Sequence, residues 1–213
     1  MKSRILVICC AMLFADVLSA ETDFQHGMSN VLQKVSSSRH WERMQSTNAI
    51  DLLVSTTTNA ALIAECRLLK ATVLIERAET EFDGAALSEA ASLCADVKAE
   101  YQGMHDDWRL WGGILVGMQA SAAMGNYTNV YVAATNAIAL SPPADFERST
   151  NVWCALFGPD IPSRMSLAEA FRVNAVDALL SIDRTSDISS LTNGLSQAAV
   201  EAVAELLSEG GRE

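Results

Sequence analysis

Apolar residues recur along this chain at every third or fourth position and almost nowhere alternate, which predicts helices throughout and no strand. The first stripe is Phe24, Met28, Val31, Leu32 and Val35, capped by Thr22 or Asp23 and ended by Ser36-Ser37-Ser38. Trp41, Met44, Ile50 and Leu53 mark a second helix that stops at the Ser55-Thr56-Thr57-Thr58 run, because threonine clusters make poor helix interiors. A long third helix is expected from near Asn59 to about Glu81, with Leu62, Cys66, Leu69 and Val73 on its apolar face. The short break at Phe82-Asp83-Gly84 requires the fourth helix to fold back, burying Ala86, Ala90, Leu93, Cys94 and Val97.

The fifth helix starts at Asp106 or Asp107 and runs to about Met124, where Gly125-Asn126 turns the chain. The sixth ends at Leu140, before the stop formed by Ser141-Pro142-Pro143. A short helix is expected from about Asp145 to Phe157, closed by Gly158-Pro159. Ser166-Leu-Ala-Glu169 has the spacing of a capping box and opens the next helix. The last, around Leu195 to Leu207, buries Leu195, Ala199, Ala202, Val203 and Leu206, with Gly210 placed to finish it. About nine helices joined by short turns make an all-α chain, and no linker is long enough to divide it.

The first twenty residues break this pattern. Lys2 and Arg4 precede an unbroken apolar run from Ile5 to Ala15, and Leu18-Ser19-Ala20 supplies a small-residue end before Glu21. That order is expected of a cleavable export signal, 1–20, followed by a single all-helical domain, 21–213. Eleven apolar residues fall short of the ~20 that span a bilayer, so no membrane span is expected in the mature chain. The expected location is therefore periplasmic or secreted.

Charge narrows the partners. The whole chain carries a net charge of -11, and losing Lys2, Arg4 and Asp16 with the signal makes it one unit more negative. Nucleic acid, which is gripped through basic side chains, is disfavoured. So is an anionic membrane surface.

Three cysteines remain in the mature chain, Cys66, Cys94 and Cys154, an odd number that cannot be fully paired. Cys66 and Cys94 fall on facing stripes of one helix pair, offset by roughly 6 Å along it at 1.5 Å per residue. Added to a helix separation of ~8–10 Å, that exceeds disulfide reach and predicts two buried thiols.

The turn after the fifth helix carries a resemblance. Gly125, Tyr127, Val130, Ala134, Ala137 and Pro142 fall at offsets that resemble the second half of a tetratricopeptide repeat. In that family a glycine and an aromatic sit at a hairpin turn, small residues follow at helix crossings, and a proline closes the unit. A fainter copy surrounds Phe82, with Ala85 and Ser92 at the small positions, 45 residues before Tyr127 rather than the family's ~34. The resemblance covers about two hairpins, and the family's Trp-x-x-Leu-Gly-x-x-Tyr pattern is missing at its expected offset. It implies helix hairpins stacked as a short solenoid or compact array, working as an interaction scaffold.

Candidate chemistry is sparse. Trp108 and Trp111 lie three apart beside Gly112 and Gly113 and read either as a stacking platform for a partner or as core. Gly113, Gly117 and Ser121 form a small-residue ridge that reads as a close helix crossing. His105-Asp106-Asp107 places an imidazole beside two carboxylates, but acids at a helix start need no further cause. Asn126-Tyr-Thr128 has the form of a glycosylation sequon. No phosphate loop, Gly-x-Ser-x-Gly elbow, His-Glu-x-x-His or Cys-x-x-Cys occurs. Catalytic, cofactor-binding and metal residues are therefore expected to be absent, and the chain is expected not to be an enzyme. The expected function is an exported scaffold that binds another protein or peptide, with Trp108 and Trp111 as tentative contacts. The alternative is a small-ligand-binding protein or enzyme with a pocket near Trp108, Trp111 and Trp153.

Overall fold

The computed structural model describes residues 24–37, 39–143, 152, 156 and 165–210. The expected export signal, Trp153 and Cys154 lie outside them. So does most of the helix expected at 145–157, of which Val152 and Leu156 are helical and buried. The described residues are helical with no strand.

Residues 24–35 form α1, followed by α2 (His40–Thr56), α3 (Ala60–Glu81), α4 (Gly84–Glu100), α5 (Trp108–Ala123) and α6 (Tyr127–Ala139). Then come α7 (Leu167–Ser181), a 3-10 turn (Thr185–Asp187), the short α8 (Ile188–Thr192) and α9 (Gln197–Gly210). The sequence pattern had not marked α8, whose five residues include no buried side chain to give a stripe.

Side-chain caps set most of the starts. Asn59 accepts from the amides of Ala61 and Leu62 at 3.0 and 3.4 Å, and Asp83 from Ala85 and Ala86 at 3.1 and 3.2 Å. At α7 both halves of the capping box form. The Glu169 amide donates to Ser166 Oγ at 3.3 Å, and the Ser166 amide donates to Glu169 Oε2 at 2.8 Å. The other Glu169 oxygen accepts from the Ser196 amide at 2.7 Å, so one carboxylate joins the start of α7 to the approach to α9. The amides of Ser166 and Ser196, helped by their hydroxyls, hold its pKa down at about 2.

Neighbours in sequence are neighbours in space: α2 packs on α3, α3 on α4, α4 on α5 and α5 on α6. α5 also reaches α3, α6 packs on α7, and α7 carries α8 and α9. One contiguous core runs from Phe24 in α1 to Ala178 in α7. Its centre is α5, apolar nearly all round, as a helix enclosed by others must be. Ion pairs lace the outer helices: Lys70 of α3 bridges Asp51 of α2 and Glu89 of α4 at 2.9 Å each. Arg43 Nε of α2 holds both carboxylate oxygens of Glu76 at 2.8 Å.

Two aromatics depart from expectation. Trp41, placed on the apolar stripe of α2, is exposed. Phe82, expected to fill the α3–α4 bend, is 93% exposed. It caps α3 with φ +56, a left-handed conformation that carries its ring outward and that costs a bulky residue energy. At the α5–α6 turn glycine takes that role: Gly125 has φ +68, and Tyr127 is free to lean on the core.

Candidate functional site

The small-residue ridge of α5 decides where the molecule is open. A Cβ added at Gly113 would sit 3.4 Å from the Cys94 carbonyl and the Lys98 amide, and one at Gly117 would meet Cys94 Cβ at 3.4 Å. α4 therefore lies nearly backbone to backbone against this edge of α5, as the spacing predicted. With no large side chains there, α4 and α6 flank a half-open groove of about 800 Å³ with the ridge as its floor.

The floor is Gly113, Gly117 and Ser121 with Ile114 and Met118 between them. α4 supplies small walls, among them Ala91 and Ala95, and α6 supplies Val132, Asn136 and Leu140. Val132 and Leu140 are nearly half exposed, which is unusual for apolar side chains on a helix whose other face is buried. Lys98, Gln102, Gly103 and His105 close one end, where α4 passes into α5. Among the described residues no aspartate or glutamate lines the groove, in a chain with 26 acids and 15 basic residues.

Behind that end lies a buried polar cluster. Arg109 of α5 pairs with Glu65 of α3 and, at 3.1 Å, with Asp107. Its Nε donates to the Ala61 carbonyl at 3.2 Å, and its guanidinium lies over Tyr101 and Trp108, 5.8 and 5.3 Å from the ring centroids. Burial raises the Glu65 pKa, and the Arg109 charge opposes that rise without cancelling it. Burial also works against the Arg109 cation, yet Glu65 and Asp107 carry its pKa above the ordinary value.

Trp108 and Trp111, expected as contacts for a partner, are buried and present no face to solvent. Neither lines the groove. Trp111 acts from behind it instead. Its Nε1 donates to the His105 carbonyl at 2.8 Å, its ring meets the His105 ring edge-on at 6.2 Å, and Phe171 of α7 lies 5.9 Å away. An indole in the core thus pins the loop that closes the groove.

The remaining candidates resolve into structure. Asp107 caps α5, accepting from the Arg109 amide at 2.9 Å, and Asp106 is exposed. Among the described residues no group of His, Cys, Asp and Glu is placed to hold a metal. Asn126 caps α6 through the Asn129 amide at 3.3 Å. Cys66 and Cys94 are free and buried, and burial raises each thiol to about 12. Sequence reading missed the groove wall on α6. Its signal was a second stripe, Val132, Asn136 and Leu140 at i+4 spacing, beside the buried stripe of Val130, Ala134 and Ala137.

No described helix is long and apolar enough to cross a membrane. Comparison with protein-family models, curated proteins and solved structures returned no match to this chain.

Proposed function

We propose that this chain is an exported, non-catalytic scaffold whose tetratricopeptide-like hairpins present the α4–α6 groove to a segment of another protein. One observation carries this reading: a groove of about 800 Å³ with apolar walls, open to solvent and, among the described residues, lined by no acidic side chain. Exposed apolar surface framed by polar residues marks binding sites on helical proteins. The hairpin stack draws support from α5 touching both members of the preceding pair, α3 and α4, as well as its own successor α6. A small-molecule site is the second reading, because the volume falls within the ~300–1,000 Å³ typical of ligand pockets.

The test is a photo-crosslinking side chain at Val132, in the protein expressed with residues 1–20 in its own host. A single cross-linked protein that disappears when Ala95→Trp fills the groove supports the scaffold. Cross-linking that persists in that variant places the contact elsewhere and sinks the reading. Native mass spectrometry of the same sample reads export from a mass beginning at Glu21. A bound small molecule there, with no cross-linked protein, would establish the second reading.

A further inference from the structure

The two ends of the groove differ chemically. Because Gly113 meets Lys98 and Gly117 meets Cys94, α5 runs from the end holding Lys98, Gln102 and His105 toward the end holding Ser121 and Ala91. The first end has a lysine with no carboxylate partner among the described residues. Of the acids flanking it in sequence, Glu100 pairs with Arg67 and Asp107 with Arg109, each at 3.1 Å, while Asp96 and Asp106 are exposed and do not line the groove. The described residues of the second end are uncharged. Between them the walls are mostly apolar, but Asn136 there and Gln102 at the first end offer amide side chains with no hydrogen bond among the described residues. Such groups pair with a peptide backbone and have nothing to bond on a hydrocarbon tail.

Resting on the scaffold reading above, we infer that the groove takes the last few residues of an apolar peptide, its terminal carboxylate held at Lys98. The α5 lining from Leu110 to Ser121 spans ~16 Å at 1.5 Å per residue, which an extended peptide covers with about five residues. The protein's net charge of -11 repels an acidic partner at long range, but salt damps that field beyond ~8–10 Å. One carboxylate is therefore accepted at Lys98, and a segment with several is turned away.

The probe is a pool of synthetic pentapeptides of Ala, Val, Leu and Ile, made once with a free C-terminal carboxylate and once as amides. Retention on the immobilised full mature chain, 21–213, is read by mass spectrometry. Acids are expected to be retained about fivefold over amides, as suits a solvent-accessible ion pair. Lys98→Ala should remove that preference, so that acids and amides are retained equally by the variant. Both Lys98 and Ala95 are exposed, and circular dichroism checks that the variants fold. Equal retention of acids and amides, lost in Ala95→Trp, would overturn the carboxylate inference and leave the scaffold reading standing. Retention of decanoate but of neither peptide pool would overturn both. Peptide retention unaffected by Ala95→Trp, or no retention of any probe, would do the same.

Discussion

α5 has two sides, and they were built on opposite terms. Toward α3 and α7 it presents Trp108, Arg109 and Trp111, which fill space, stack and pair with Glu65 and Phe171. Toward α4 and α6 it presents Gly113, Gly117 and Ser121, which let backbone approach backbone and leave room above. The contrast teaches that the open side depends on the closed one. A helix whose second side is bare needs its first side to hold it in place, and Trp111 extends that hold to the loop at the groove's end.

The largest effect should come from the closed side. Arg109→Ala leaves Glu65 buried with its charge unpaired, at a cost of about 3–5 kcal/mol at neutral pH in urea unfolding. The pH sign follows from Glu65, whose folded pKa already lies above its unfolded value. Its stabilising contribution is complete below the ordinary carboxylate range and is lost as pH rises through the folded pKa. Removing Arg109 raises that pKa further, so the deficit of the variant should shrink on acidification. A deficit that stays constant from pH 8 to pH 4 would mean the pair is not what holds this side.

On the open side, Gly113→Ala should stay within about 0.5 kcal/mol of wild type, since its Cβ meets neighbours at ordinary contact distance and gains helix propensity. Gly113→Val drives branched atoms toward the α4 backbone and should cost about 1–3 kcal/mol. If both are harmless in thermal unfolding, the close crossing does not matter and the comparison breaks.

Trp111→Phe keeps the packing but removes the bond to the His105 carbonyl, a loss of about 1 kcal/mol. It should also speed hydrogen exchange in residues 102–106 while leaving α3 unchanged. Equal exchange in both proteins would uncouple the closed side from the groove.

The smallest effect lies away from α5, at the Glu169 clamp. Its pKa is depressed to about 2, so its contribution is present above the unfolded pKa of ~4.5 and lost as pH falls toward 2. The site is largely solvated and worth less than about 1 kcal/mol. Glu169→Gln should flatten that acid-side loss in melting temperature and leave the α5 variants' ranking untouched.

Helical periodicity, serine and threonine runs, and Asn, Asp and Ser caps made most of the fold legible before any coordinates. They act within a few residues, so a linear reading captures them. The capping box at Ser166 and the ends of α3 were read for this reason. The two cysteines were also placed as buried thiols, because helix rise and separation are general quantities. The site was far less legible. Trp108 and Trp111 could be core or contact, and only the positions of α3 and α7 decide. Glu65 and Arg109 lie 44 residues apart and find each other through tertiary packing alone. Phe82 read as a bend-filling aromatic, but the left-handed cap turned it outward. The groove was visible only as its floor, since its walls come from two helices whose approach the glycines allow but do not name.

The sealed thiols of Cys66 and Cys94 turn the protein into its own clock. At about 12, each remains in its unreactive protonated form at neutral pH, and each is almost wholly buried. Alkylation is fastest in molecules whose packing around these helices has briefly opened, so the rate of labelling counts those openings. Under the export reading proposed above, with its oxidising surroundings, the same seal has a temporal meaning. The interval between emergence and folding is when these sulfurs are open to oxidants, and closing the core ends that exposure.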